Sequence, residues 1–121
     1  MTILVAEDEA LMLKTIQIKL SKEGFTVVPC ADGAIALEKI AEHKPQVVLT
    51  DLNLPHANGE TIITAAKAAN PDVKILVLTG MEATAAKEKV INLGATDVLI
   101  KPFSLVELLK RVTAMGATAE Q

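Results

Sequence analysis

The chain has 121 residues, 50% of them hydrophobic and 22% charged, a length and balance that suit one domain with its own core and exclude a disordered or disulfide-stapled chain. Lys+Arg 12 against Asp+Glu 15 gives a formal net charge of -3, which offers no basic stripe for a phosphate backbone, so direct nucleic-acid binding by this chain is excluded as an expectation. Cys30 is the single cysteine, no apolar run approaches about 18 residues and no basic leader opens the chain, so we expect no intramolecular disulfide, no membrane contact and a cytoplasmic location.

In chain order, residues 3–6 form a short apolar run that predicts a strand and ends in the acids Glu7-Asp8. Leu13, Ile16 and Leu20 then recur on one helical face, and Gly24 marks the stop. A second strand is expected over residues 26–30, which would place Cys30 in the core. A second helix follows, with Asp32 as its N-cap, Leu37, Ile40 and Ala41 inward and His43 near its C-terminus. Residues 47–50 predict a third strand ending at Asp51, and a third helix runs from about 59 to 70 with Ile62, Ile63 and Ala66 inward and Pro71 behind it. The fourth strand, residues 74–78, ends at Thr79. The fourth helix, from about 83 to 93, turns Ala86, Val90 and Leu93 inward and stops at Gly94. Residues 97–100 form the fifth strand and end at Lys101. Ser104-Leu105-Val106-Glu107 then reads as a capping box opening a fifth helix with Leu105, Leu108, Leu109 and Val112 at helical spacing. Residues 1–115 account for this pattern, and 116–121 read as a tail or the start of a linker.

The strand runs are near-continuous rather than alternating, as a parallel sheet covered on both faces requires. Strict β/α alternation predicts a doubly wound five-stranded parallel sheet, (βα)5, and of the two common strand orders we take the flavodoxin-like 2-1-3-4-5. In such a sheet ligands bind outside the carboxyl ends of the strands, where strand order reverses. That order sets the first and third strands side by side and brings Glu7, Asp8 and Asp51 to one rim. Three carboxylates there repel unless something neutralises them, and hard oxygen donors suit Mg²⁺ better than zinc. A carboxylate can attack phosphorus to give an aspartyl phosphate, with Lys101 as a point charge and Thr79 as a short hydroxyl donor to the transferred group.

Glu7-Asp8, the segment Asp51-Leu52-Asn53-Leu54-Pro55 followed by Gly59, the dipeptide Thr79-Gly80, and Gly94-Ala95 leading to Lys101-Pro102-Phe103 together resemble the receiver domains of two-component response regulators, over nearly the whole chain. The resemblance implies that Asp51 is the phosphoacceptor and that Thr79 and Lys101 bind the phosphoryl group. It further implies that Glu7, Asp8, Asp51 and the backbone carbonyl of Asn53 organise Mg²⁺, with Glu7 acting through water. A sensor histidine kinase or phosphotransfer protein would be the donor. A downstream protein or output domain would read the face built by the fourth helix, fifth strand and fifth helix. The chain is then a switch that assists its own phosphotransfer and autodephosphorylation, not a turnover enzyme. Family members usually carry a cis peptide bond at the position of Lys101-Pro102, and X-Pro is where cis is least costly.

Val98 departs from the family, which commonly has Tyr or Phe there as the ring that moves inward on phosphorylation. Glu7 replaces the commoner Asp and keeps the charge. Three rival readings compete. A pseudo-receiver that signals without phosphate is favoured by Val98 and opposed by the complete acid and lysine set. A haloacid-dehalogenase-type phosphatase needs a second Asp where Asn53 stands. An FMN binder needs a phosphate-cradling loop where the acids follow the first strand. Taken singly, Asp51 reads as a turn former, Glu7-Asp8 as a helix cap, and Thr79 and Lys101 as ordinary surface residues. His56 reads as a solvated loop residue, and Ile18 and Val106 lie off their helices' apolar faces.

Overall fold

The computed structural model describes residues 1–80 and 86–117. Five strands alternate with five helices: β1 (Thr2–Ala6), α1 (Ala10–Lys22), β2 (Thr26–Cys30), α2 (Gly33–His43), β3 (Val47–Asp51), α3 (Gly59–Ala69), β4 (Lys74–Thr79), α4 (Ala86–Leu93), β5 (Asp97–Ile100) and α5 (Leu105–Ala114). The strands form one parallel sheet in the order β2-β1-β3-β4-β5, the flavodoxin-like α/β arrangement expected from the alternation.

Successive strand residues point to opposite faces, so each apolar run feeds two cores. Leu4, Ala6, Val48, Ile75, Val77 and Val98 pack with Ala36 and Ile40 of α2, Ile62, Ile63 and Ala66 of α3, and Val90 of α4. On the other face Ile3, Val5, Val47, Leu49, Leu76, Leu78 and Leu99 pack with Ile16 and Leu20 of α1 and Leu108 and Val112 of α5. β2 lies at an edge, which is where Pro29, with no N–H to donate, can be accommodated. Cys30 is buried at the end of that strand, and burial pushes its thiol up to about 11.

Local chemistry sets the helix ends. Asp32, Asn58 and Ser104 each accept an N–H from three residues on: Ile35 at 2.8 Å, Thr61 at 2.9 Å and Glu107 at 3.1 Å. α4 stops where Gly94 turns to φ +118, which lets the Ala95 N–H reach the Val90 carbonyl at 3.0 Å. Ala117 is buried and its N–H points to the Val112 carbonyl at 3.4 Å.

Two inward assignments change. Ala41 of α2 is exposed, and Gly33, Ala36 and Ile40 form the buried line instead, because these recur at three and four residues along one stripe while Ala41 lies about 100° round the helix from Ile40. Leu93 is 39% exposed, because the chain leaves the helix at Gly94 and Ala95 takes the buried place. The expected first turn of α4, residues 83–85, and the tail residues 118–121 lie outside the described residues.

Candidate functional site

Register brings the chemistry to one rim. Ala6 pairs with both Cys30 and Thr50, Asp51 with Leu78, and Thr79 with Ile100, so Glu7, Asp8, Asp51, Thr79 and Lys101 all stand at the carboxyl ends of neighbouring strands. The Glu7 N–H continues the sheet by donating to the Cys30 carbonyl at 3.0 Å. That bond turns the Glu7 side chain inward, where it is 1% exposed. Its Oε2 accepts the Glu9 N–H at 3.0 Å and its Oε1 accepts Lys101 Nζ at 2.9 Å.

The same ammonium donates to Asp51 Oδ2 at 2.9 Å, so a lysine after β5 clamps carboxylates from β1 and β3 together. Asp51 is half-buried and Asp8 exposed. One carboxylate oxygen from each of Glu7, Asp8 and Asp51 lies within 4.8 Å of the others. Asn53 is exposed in the loop beyond, its N–H facing Asp51 Oδ1 at a long 3.5 Å.

Three carboxylates face one ammonium, leaving the rim negative. Burial pushes the Glu7 carboxyl above its usual range and the Asp51 charge adds to the rise, while the Glu9 N–H and Lys101 pull the other way. For Lys101, burial would lower the value, but hydrogen bonds to and charges on Asp51 and Glu7 outweigh it and hold the ammonium above 10.5. The donor set is all hard oxygen with no sulfur or imidazole, which fits Mg²⁺. Thr79 Oγ1 fits a donor to a phosphoryl oxygen at this rim: it is buried and finds no hydrogen-bond partner among the described residues. Buried hydroxyls are ordinarily satisfied.

Glu7, Asp8, Asp51, Thr79 and Lys101 therefore stand on this rim, with Asn53 and His56 in the loop beside it. Sequence reasoning did not find the link between Lys101 and Glu7, which are 94 residues apart. It also missed the contact of His56 with Asp32, whose Nδ1 and Oδ2 are 3.4 Å apart. His56 takes the left-handed backbone at φ +69, which its neighbours Pro55 and Ala57 do not signal. Lys101-Pro102 is cis. Val98 is buried in the sheet, at 5% exposure.

The sequence matches the family model of the response regulator receiver domain over residues 3–113. Transcriptional regulatory protein PrrA of Mycobacterium tuberculosis is 35% identical, over 97% of this chain and 52% of its own length. The chain thus spans about half the length of the curated relatives it matches. Among solved structures, the receiver domain of Francisella response regulator 1452 superposes with a TM-score of 0.84 at 27% identity, covering 94% of each chain. Chemotaxis response regulator CheY4 of Vibrio cholerae superposes with a TM-score of 0.87 at 28% identity, covering 94% of this chain and 97% of that one.

Proposed function

Because the chain belongs to the receiver domain family of two-component response regulators, we propose that Asp51 is its phosphoacceptor and that Thr79 and Lys101 receive the transferred group. Receiver domains are phosphorylation-dependent switches, so the product of interest is a changed conformation rather than a released small molecule. The observation that carries the assignment is the Lys101 ammonium 2.9 Å from Asp51 Oδ2, a cation already seated at the oxygen that would attack.

A histidine kinase or phosphotransfer protein presents phosphohistidine at the rim. An Asp51 oxygen attacks phosphorus in line, the O–P bond forms as the N–P bond breaks, and the departing imidazole takes up a proton. Lys101 follows the charge onto the phosphoryl oxygens, and the Thr79 hydroxyl, unpartnered among the described residues, donates to one of them. Glu7, Asp8, Asp51 and the Asn53 carbonyl would hold Mg²⁺. When bound, Mg²⁺ supplies positive charge against the transferring oxygens. Water attacking the same phosphorus releases phosphate and returns the Asp51 carboxylate, which resets the switch.

We assign residues 1–115 to the receiver unit and 116–121 to a tail or linker whose start is anchored by Ala117 in the core. The output surface is α4, β5 and α5, and its partner is a downstream protein or output domain in the cytoplasm. Val98 lacks the ring whose inward swing is common in the family, so the signal reaches that surface without it.

Incubation with Mg²⁺ and acetyl phosphate, followed by intact mass, tests the reading. One phosphoryl group added to the wild type and none to Asp51→Asn is the expected result. A folded wild type that gains no mass, and does not bind beryllium fluoride with Mg²⁺, rejects it.

A further inference from the structure

Residues 52–58, between β3 and α3, carry Asn53 past the rim. At the β3 side the Leu52 N–H donates to Leu78 at 3.2 Å and the Leu52 carbonyl accepts the Gly59 N–H at 2.9 Å. At the α3 side Asn58 Oδ1 caps the helix through Thr61. Leu54 rests on the core between them. The remaining polar contacts of residues 55–57, among the described residues, run to a different part of the chain: the N-terminus of α2. There the Gly33 N–H donates to the Pro55 carbonyl at 2.8 Å. Asp32 divides its carboxylate, Oδ1 capping α2 through Ile35 and Oδ2 facing His56 Nδ1 at 3.4 Å.

Close backbone approach makes this contact specific. A Cβ on Gly33 would strike the carbonyl oxygen of Ala57 and come within 2.8 Å of its carbonyl carbon, so backbone rather than a flexible side-chain end would have to shift. On the loop side His56 sits at φ +69, a conformation that a residue with a side chain keeps where its surroundings hold it.

We propose that the N-terminus of α2 is the backstop that positions the β3–α3 loop for Mg²⁺ binding, with Gly33 and His56 as positioning residues that set where the Asn53 carbonyl lies. This rests on the reading of Asn53 as a ligand. Neither residue touches the reacting atoms. Both act through the loop, as outer supports of metal ligands do.

Three variants of the full chain test it: Gly33→Ala, His56→Gly and His56→Asn. The readouts are the Mg²⁺ dissociation constant by calorimetry, amide exchange of residues 53–57 without metal, melting temperature, and the phosphorylation rate from acetyl phosphate at saturating Mg²⁺. Gly33→Ala is expected to weaken Mg²⁺ about 10-fold, the loss typical when an outer support is removed. Its phosphorylation rate at saturating Mg²⁺ should stay near the wild-type value. His56→Gly, which frees the backbone at a side chain 71% exposed, should also weaken Mg²⁺ and speed exchange at 53–57. Asn tolerates the left-handed conformation, so His56→Asn should stay closer to the wild type than His56→Gly.

A lower melting temperature with an unchanged dissociation constant in Gly33→Ala would make Gly33 a packing residue only and overturn the proposal. Should Gly33→Ala fail to fold, an unchanged dissociation constant and unchanged exchange in His56→Gly overturn it alone. A wild type that binds Mg²⁺, responds to these variants and still takes no phosphoryl group would sink the phosphoacceptor reading and leave this one standing.

Discussion

With both carboxylate partners at 2.9 Å, the Lys101 ammonium neutralises part of a cluster that would otherwise hold three acids against one another. Its raised pKa means the folded state holds that proton more tightly than the unfolded chain. The stabilisation is fully present below 10.5 and is lost as pH rises through the higher folded value. Glu7 has the same sign in a lower pH window. Its carboxyl is also raised, so folding favours its protonated form, and stability falls as pH climbs from 4.5 through the folded value. In metal-free urea titrations at pH 7, Lys101→Met should be less stable than the wild type by about 1–3 kcal/mol, since it strands a buried carboxylate. That gap should narrow as pH rises from 10.5 through the higher folded value, over which the wild type loses the same contribution. Glu7→Gln should flatten the wild type's decline on the acid side of neutrality and weaken Mg²⁺ binding. The types and order of the rim residues were legible in the sequence. That one lysine bridges two of the acids at rest was not, because the partners are separated by 94 and 50 residues and only the closed sheet brings them within reach.

Helices were legible from period and caps, and the errors fall at their last turns. Ile62, Ile63 and Ala66 are buried as their spacing requires, and Asp32 and Ser104 cap as their chemistry requires. Leu93 shares a helical face with Val90, yet Val90 is 1% exposed and Leu93 39%, because a positive-φ glycine redirects the chain and seats Ala95 in the core. The element therefore predicts an asymmetry. Val90→Ala should cost about 2 kcal/mol through the space it leaves, whereas Leu93→Ala should change stability by under about 0.5 kcal/mol. Guanidinium unfolding of the two variants checks it, and equal losses would contradict the described end of α4. Ala41 and Ala36 make the same point in α2: period identifies a face, but the packed structure decides which edge of that face is covered.

At the scale of the molecule, metal binding and folding are linked. A ligand held by the folded rim alone stabilises by about 1.4 kcal/mol at ten times its dissociation constant, so Mg²⁺ should raise the melting temperature in a concentration-dependent way. The rise should vanish in Asp8→Asn and Asp51→Asn, and calorimetric scans over a Mg²⁺ series measure it. The parallel direction of the strands and the set of chemical groups at their ends were determined by the sequence itself, because apolar runs, helical period, caps and β/α alternation are local or nearly local properties; the choice between the two common strand orders was decided by the closed sheet. The tertiary structure alone decided how those groups face one another: Glu7 buried and paired with Lys101, Thr79 Oγ1 buried without a partner among the described residues, and the β3–α3 loop clipped to α2 through Gly33 and His56. Such contacts join residues far apart along the chain. Strand register and the close approach of backbones set them, and neither is written in any short stretch of sequence.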